Sequence, residues 1–390
     1  MSVAGLPLGN RGKTVAPLKR KGLGGRSGAS RVAYTLRDSL VLGGYQPRKA
    51  QRGCGRWRRK GAEGTEGVEL RPSPSVPDRL TYVGLQRCAS PSSCPVCALV
   101  IATRRAEDLR RVVGAHEKRG GVTCMITSTI RHGAGKRLRT LRRGLVRAFG
   151  LFRRRRGVAR LLEGVEWCRA MEVMHGWLNG WHPHLHLLLL LLGAAQAHAL
   201  EEQAGFLAST WADCVASVLG EECRPDLEHG LVIGGGAADY LSKIDLEVSL
   251  GATKEGRNGH RTPWQIAADL VEHGRPEDEQ LWLDYVVDMK NAHQLEPSGG
   301  FWAVGEVEEK TEEEIVNESD AGPETVAVIP WPAWSCLVIT VAGRSYELRD
   351  VAERAAHPTD PDRAAKAQAA VDEQLSAWAK DTGLDPPSTG

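Results

Sequence analysis

The chain has 390 residues, with 51 Lys or Arg against 48 Asp or Glu and a formal net charge of +3. That length suffices for two or three domains with a proper core. The longest apolar run, Leu187 to Leu192, is far too short to span a bilayer, and the basic start MSVAGLPLGNRGKTVAPLKRKG lacks the apolar stretch of a secretory signal. Membrane-spanning and secreted classes are set aside. The nine cysteines, an odd number, read as reduced thiols of a cytoplasmic protein whose clustered cysteines bind metal rather than form disulfides.

The charge is uneven. Residues 1–60 carry many Lys and Arg and one acid, Asp38. The segment Arg131 to Arg160 holds twelve basic residues and no acid, whereas Glu306 to Asp320 is dense in acid. A single basic block is usually a solvated face; two in one chain point to a polyanionic partner.

In chain order, residues 1–50 are rich in Gly, Lys and Arg without a sustained period, and read as a basic flexible leader. Residues 51–118 read as a cysteine-rich module and helix. Cys94-Pro-Val-Cys97 has the spacing of a metal knuckle, Cys88 lies six residues upstream, and Cys54 in Arg-Gly-Cys-Gly-Arg is the fourth candidate. A structural Zn²⁺ on four thiolates would staple a region with little core of its own. PSPSVP at 72–77 marks a loop, and Ala98 to Lys118 is helical.

Residues 119–295 form the main domain. Gly121 to Ile130 reads as a strand. Lys136 to Arg156 reads as a helix, with Leu138, Leu141, Leu145, Phe149 and Phe152 at helical spacing. Gly164 to His175 is a second strand, and Asn179-Gly180 turns it into a third that begins GWHPHLHLLLL. Ala194 to Leu219 is a helix, Leu231 to Ile233 a strand, and Ala237 to Ile244 a short helix or turn. The order β-α-β-β-α-β predicts an α+β fold, a ferredoxin/RRM-like antiparallel sheet with helices on one face. Gln265 to His273 and Asp278 to His293 are helical. Residues 296–324 read as an acidic linker. Residues 325–390 read as a small C-terminal region, with strands within Ile329 to Ala342 and a helix from Ala364 to Ala379.

Two constellations carry chemistry. Strand alternation puts His182, His184 and His186 on one face and Pro183, Leu185 and Leu187 on the other. The bland alternative is a buried strand with a few polar residues at its start. His184 and His186, with Glu172 from the paired strand, make a three-ligand metal site; His182 or His175 can substitute. A mixed imidazole and carboxylate set suits Mn²⁺ or Mg²⁺, and Zn²⁺ or Co²⁺ also bind such sets. Three protein ligands leave positions open for a phosphate oxygen, which the metal polarises. The second constellation is Tyr240-Leu241-Ser242-Lys243. On a helix Tyr240 and Lys243 share a face. The spacing alone is common on surface helices; its weight comes from lying about fifty residues after the histidine strand. Gly12-Lys13-Thr14 imitates the end of a phosphate loop, but Pro7 stands where the first glycine belongs, so no nucleotide cofactor is expected.

These residues resemble the HUH endonucleases, named for a His-apolar-His pair, here His184-Leu185-His186. More closely, the chain is similar to rolling-circle replication initiators of actinobacterial plasmids. Cys88 to Cys97 resembles the N-terminal cysteine cluster of that family. Met125 to His132 resembles its first motif, Glu172-Val173 through Gly180–His186 its second, and Tyr240–Lys243 its third. Arg261–Ile266 and Leu281–Tyr285 match downstream. The resemblance implies that Tyr240 attacks a phosphate of single-stranded or melted origin DNA, giving a 5′-phosphotyrosine and a free 3′ hydroxyl. His184, His186 and Glu172 hold the metal, and Lys243 orients or neutralises the phosphate. A host polymerase and a host helicase are the implied partners, with no membrane involved. Arg131, His132, Lys136, Arg137, Arg139, Arg142 and Arg143 are the expected DNA-binding residues, and Trp177 and Trp181 either stack on bases or pack in the core. Gly236 stands where some relatives carry a Glu, and Ser128 interrupts the first motif. An HUH transposase or conjugative relaxase uses the same chemistry. A non-catalytic zinc-containing DNA-binding regulator is the alternative from another class.

Overall fold

The structure is a computed structural model that describes residues 25–46, 48–60, 66–73, 79–234, 259–318 and 324–383. Two helices, α1 (Gly25–Leu42) and α2 (Lys49–Gly53), precede two strands, β1 (Gly67–Pro72) and β2 (Leu80–Val83). The long helix α3 (Pro95–Lys118) leads into β3 (Val122–Ser128), then α4 (Leu138–Arg154) and α5 (Arg156–Leu161). A hairpin of β4 (Glu166–Gly176) and β5 (Gly180–Leu191) follows, then α6 (Ala194–Glu202), α7 (Ala204–Leu219) and β6 (Leu231–Ile233). After the undescribed stretch come α8 (Pro263–His273), α9 (Pro276–Asp288), β7 (Leu295–Pro297), α10 (Phe301–Val304) and α11 (Glu312–Glu318). The chain ends in β8 (Ala327–Pro330), helical turns over 331–338, α12 (Arg344–Ala355) and α13 (Arg363–Thr382).

The larger sheet runs β6-β3-β5-β4-β7, with every described pairing antiparallel. Its first four strands therefore follow the chain order fourth, first, third, second. α4 and α5 connect β3 to β4, and α6 and α7 connect β5 to β6. The hairpin closes on the Gly176–Gly180 pair. Gly180 takes φ +72°, and a Cβ there would stand 3.0 Å from Ala134 Cα, so the tight turn and the close backbone approach both require glycine.

The pleat sorts β5 as expected. Leu185, Leu187, Leu189 and Leu191 join Leu141, Leu145, Phe149 and Phe152 of α4 and Leu207, Trp211 and Val215 of α7 in one core. Leu188 and Leu190 face the other way, against Leu109, Val112 and Val113 of α3 and Phe301 and Trp302 of α10. Helices thus cover both faces of the sheet rather than one. α3 takes the end of the second face at Leu188 and Leu190, and the histidines occupy the other end of that face.

Four segments differ from the sequence expectation. Residues 25–42, read as leader, form a packed helix. Leu36 and Leu40 are buried, and Asp38 is ion-paired to Arg37 at 2.6 Å and to Arg56 at 3.3 Å while accepting from Ser345 Oγ at 3.0 Å. Those buried charges persist because each has partners. The acidic segment is not a bare linker: β7 pairs with β4, and Ile315 and Val316 of α11 are buried. Nor is the C-terminal region an appendage. β8 pairs with β1 to make the sheet β2-β1-β8, and Trp334, Leu348, Val371 and Leu375 share a core with Cys54, Cys94, Val68 and Tyr82. Only β8 of the strands expected within 329–342 forms; the rest is helical turn. The helix expected over 194–219 is broken at Gln203.

Candidate metal centre and nucleic-acid surface

The β4–β5 register places Glu172 directly opposite His184, and β3–β5 places Thr127 opposite His186. Residues directly across a sheet share a face, so two local registers bring four side chains together. His184 Nε2 and His186 Nε2 lie 2.8 and 2.9 Å from the same oxygen, Glu172 Oε2. One donor atom from each of Glu172, His184 and His186 falls within 4.8 Å of the others, and all three residues are buried, at 8, 8 and 4 % exposure. His186 Nδ1 is 3.1 Å from Thr127 Oγ1, an arrangement that fixes the ring and turns Nε2 to the centre. His184 Nδ1 is buried with no hydrogen-bond partner. Two imidazole nitrogens and a carboxylate focused on one point fit a divalent cation.

A second layer of imidazoles borders this centre. His132 Nδ1 donates to the Asn179 carbonyl at 2.8 Å, which leaves its Nε2 to accept from His182 Nδ1. The His182 ring lies 5.4 Å from that of His184 and 6.2 Å from that of His260. Burial first, then the neighbouring His184, His132 and His260, pushes His182 down to about 3. Burial and then the Arg261 cation push His175 down to about 4, and burial lowers His132. His182, His175 and His132 are therefore neutral near pH 7. His175 is bridged to Arg261, which is held by Asp269 and Asp278 at 2.9 and 2.7 Å. Neither His182 nor His175 joins the three-residue centre. Tyr240 and Lys243 lie outside the described residues, as do Gly236 and the expected helix over 237–244.

The four thiols converge as expected. Cys54 Sγ is 3.4 Å from Cys97 Sγ and 3.6 Å from Cys94 Sγ, and Cys88 Sγ is 3.8 Å from Cys97 Sγ. All four sulfurs lie within 4.8 Å of one another, and none is in a disulfide. Ligands placed tetrahedrally at about 2.3 Å from zinc stand about 3.8 Å apart. The cluster fits that edge length. Hydrogen bonds among the four thiols push Cys54 down and Cys88 and Cys94 up, the pattern of a set that cannot all ionise without a cation among them.

The expected DNA-binding residues separate into two groups. Arg131 and Arg143 are exposed, and His132 is half-buried in the imidazole layer. Lys136 pairs with Glu222 at 2.7 Å, and Arg137 and Arg139 reach Asp288 at 3.3 Å each while keeping substantial exposure. Arg142 departs from the expectation. It is 8 % exposed, and its Nε and Nη2 donate to the Asp288 carbonyl at 3.1 and 2.9 Å. It caps the C-terminus of α9, where a cation complements the helix dipole. Trp181 is buried, stacked 5.9 Å from Tyr285, whereas Trp177 and Leu178 at the hairpin tip are each 82 % exposed. Sequence reasoning missed His260 and gave no role to Thr127 or Arg261, which lie in the stretches matched to the family. The box Thr262-Pro-Trp-Gln265, which caps α8 reciprocally, was a readable signal that the segment after His260 is ordered.

Among the described residues, no helix is long and apolar enough to cross a membrane. Residues 82–198 match the family model described as replication protein. The chain is 27 % identical over 257 residues to the "Protein rep" of Streptomyces lividans, covering 50 % of this chain and 56 % of that one. It is 30 % identical over 141 residues to a "Neomycin resistance protein" of Streptomyces cyanogenus, covering 29 % of this chain and 32 % of that one. The chain thus spans about half the length, or less, of these curated relatives. No solved structure matches it. The resemblance to rolling-circle replication (Rep) proteins of actinobacterial plasmids is supported by the family match and by the Streptomyces relative.

Proposed function

We propose that this chain initiates rolling-circle plasmid replication by nicking single-stranded or melted origin DNA at a metal centre, with Tyr240 as nucleophile. The observation that carries the reading is the convergence of His184, His186 and Glu172 on one buried point of a sheet whose strand order agrees with the ferredoxin-like HUH core. Mn²⁺ or Mg²⁺ held there supplies Lewis-acid polarisation of a phosphate. The phenol oxygen of Tyr240 bonds to phosphorus, and the bond from phosphorus to the 3′ oxygen breaks. The phenol proton ends on the departing 3′ hydroxyl, and reversal of the exchange rejoins strands. Lys243 neutralises the phosphate. Chain reach agrees: Gly234 N donates to Met125 O at 3.0 Å, two residues before Thr127, and the six residues to Tyr240 span at most about 20 Å. Trp177 and Leu178, on the tip of the hairpin that bears the ligands, offer a stacking surface to unpaired bases. Zn²⁺ on Cys54, Cys88, Cys94 and Cys97 is structural. The protein works in the cytoplasm on origin DNA, beside a host helicase and polymerase.

The test is nicking of single-stranded oligonucleotides tiled across the plasmid that carries the gene, with Mn²⁺ or EDTA. A metal-dependent covalent protein–DNA adduct that vanishes in Tyr240→Phe is expected. No adduct with any oligonucleotide, with duplex binding retained by both proteins, overturns the nickase in favour of a DNA-binding regulator. A cut at transposon ends or a transfer origin favours a transposase or relaxase.

A further inference from the structure

Beside the four-cysteine cluster, the run Arg56-Trp57-Arg58-Arg59-Lys60 is held stiffly. Gly55 N donates to Gln86 O at 2.7 Å, Gln86 N to Trp57 O at 2.8 Å, and Arg59 N to Gly84 O at 2.8 Å. The Trp57 ring lies over Gly53, where a Cβ would stand 2.4 Å from it. Arg56 is turned inward to Asp38. The next three cations are not: Arg58 and Lys60 are exposed and Arg59 half-exposed. Arg58 lies over the Trp331 ring at 4.3 Å, and Trp57 is 40 % exposed beside it. Arg58, Arg59, Lys60 and Arg87 line a cleft of about 550 Å³ in which Glu313 is the one acid among the described residues. Three cations on the turn, with Arg87 beside it, give the cleft a positive potential that favours an anion. The stiff turn also removes much of the ordering cost of gripping one.

We propose that this turn of the cysteine module is a second DNA-binding surface that holds the sugar-phosphate backbone of duplex DNA, apart from the metal centre. The inference rests on the reading of the chain as an origin-DNA nickase, and gives that enzyme a grip that carries no sequence information of its own. Repeating anionic phosphates match a row of cations better than a lone small anion does, and Trp57 adds a flat contact at the edge.

The full-length zinc-loaded protein is titrated, over a salt series, with a fluorescein-labelled duplex of random sequence and with a single-stranded oligonucleotide. Each phosphate contact to B-DNA contributes about 0.9 to the log–log salt slope. Arg59→Gln/Lys60→Gln therefore lowers the duplex slope by about 1.8 and the affinity by about 30-fold near 0.15 M salt. Adduct formation on a short single strand stays unchanged. Arg59→Lys/Lys60→Arg, which keeps both charges, retains the parent slope. Parent-like duplex binding by the Gln pair overturns this surface alone and leaves the nickase intact. Weaker binding with an unchanged slope, or equal weakening in the charge-keeping pair, also overturns it by assigning the loss to structure. No DNA binding by the unsubstituted chain removes both readings together.

Discussion

Thr127 touches no expected substrate, yet it holds the ring of a candidate metal ligand, His186. If His186 Nε2 ligates a cation, its Nδ1 carries the proton and donates to Thr127 Oγ1 across 3.1 Å. Thr127→Val keeps the branched shape of the side chain and deletes that acceptor. His186 is 4 % exposed, so bulk water does not readily replace it. Loss of a buried hydrogen-bond partner costs about 1–3 kcal/mol. Loss of an outer partner of a metal-bound histidine lowers metal affinity about 10- to 100-fold, which is about 1.4–2.7 kcal/mol. Both scales agree, and the second decides the assay. Nicking by Thr127→Val, followed against Mn²⁺ concentration, reaches half-maximum at about 10- to 100-fold more metal and recovers its plateau at saturation. Calorimetric titration of Mn²⁺ shows the same shift. An unchanged half-saturation point refutes the role given to Thr127, and a low plateau that added metal does not restore places the residue in the chemistry instead.

Three further outcomes follow from the packing. Arg142→Ala lowers stability by about 2–3 kcal/mol, because two charge-assisted bonds to the α9 terminus are lost from a buried site. Arg143→Ala stays within about 0.5 kcal/mol of the parent in urea unfolding and instead weakens DNA binding. Equal effects of the two on stability would sink the division of α4 into a structural and a binding side. Cys97→Ser, at a sulfur 3.4 Å from Cys54, abolishes zinc retention in metal analysis and lowers the melting temperature, whereas the exposed Cys336→Ser changes neither; zinc retained by Cys97→Ser would remove that thiol from the ligand set. Trp177→Ala leaves the melting temperature unchanged, since the ring is 82 % exposed, but weakens single-strand binding by about 1–3 kcal/mol in fluorescence anisotropy; parent-like affinity would leave the hairpin tip without a role in binding.

What the sequence made legible is what local geometry controls. Strand alternation alone put His184 and His186 on one face, and one turn signal at Asn179-Gly180 brought Glu172 across from them. Leu231 to Ile233 agrees residue for residue with β6, because a short apolar strand between polar turns has few alternatives. The cysteines were readable for a related reason, since Cys94 and Cys97 sit at a spacing that metal chemistry restricts. What was not legible depends on partners far along the chain. Residues 25–42 have apolar positions at 33, 36 and 40 in helical spacing, but their Gly- and Arg-rich surroundings read as solvated. The residues that fix this helix are Arg56 and Ser345, one of them about 300 positions away, and no local pattern announces such pairings. Asp38 was the clue: a lone acid in a strongly basic stretch. The same reasoning explains Arg142. Its place in a run of arginines suggested a face for DNA, and only the arrival of the α9 terminus, 146 residues later, turns it inward. Basic composition therefore marks where a polyanion can bind only after the cations that hold the fold together have been subtracted. In this chain the subtraction removes Arg37, Arg56 and Arg142 among others, and leaves cations such as Arg143 on α4 and Arg59 and Lys60 beside the cysteine cluster.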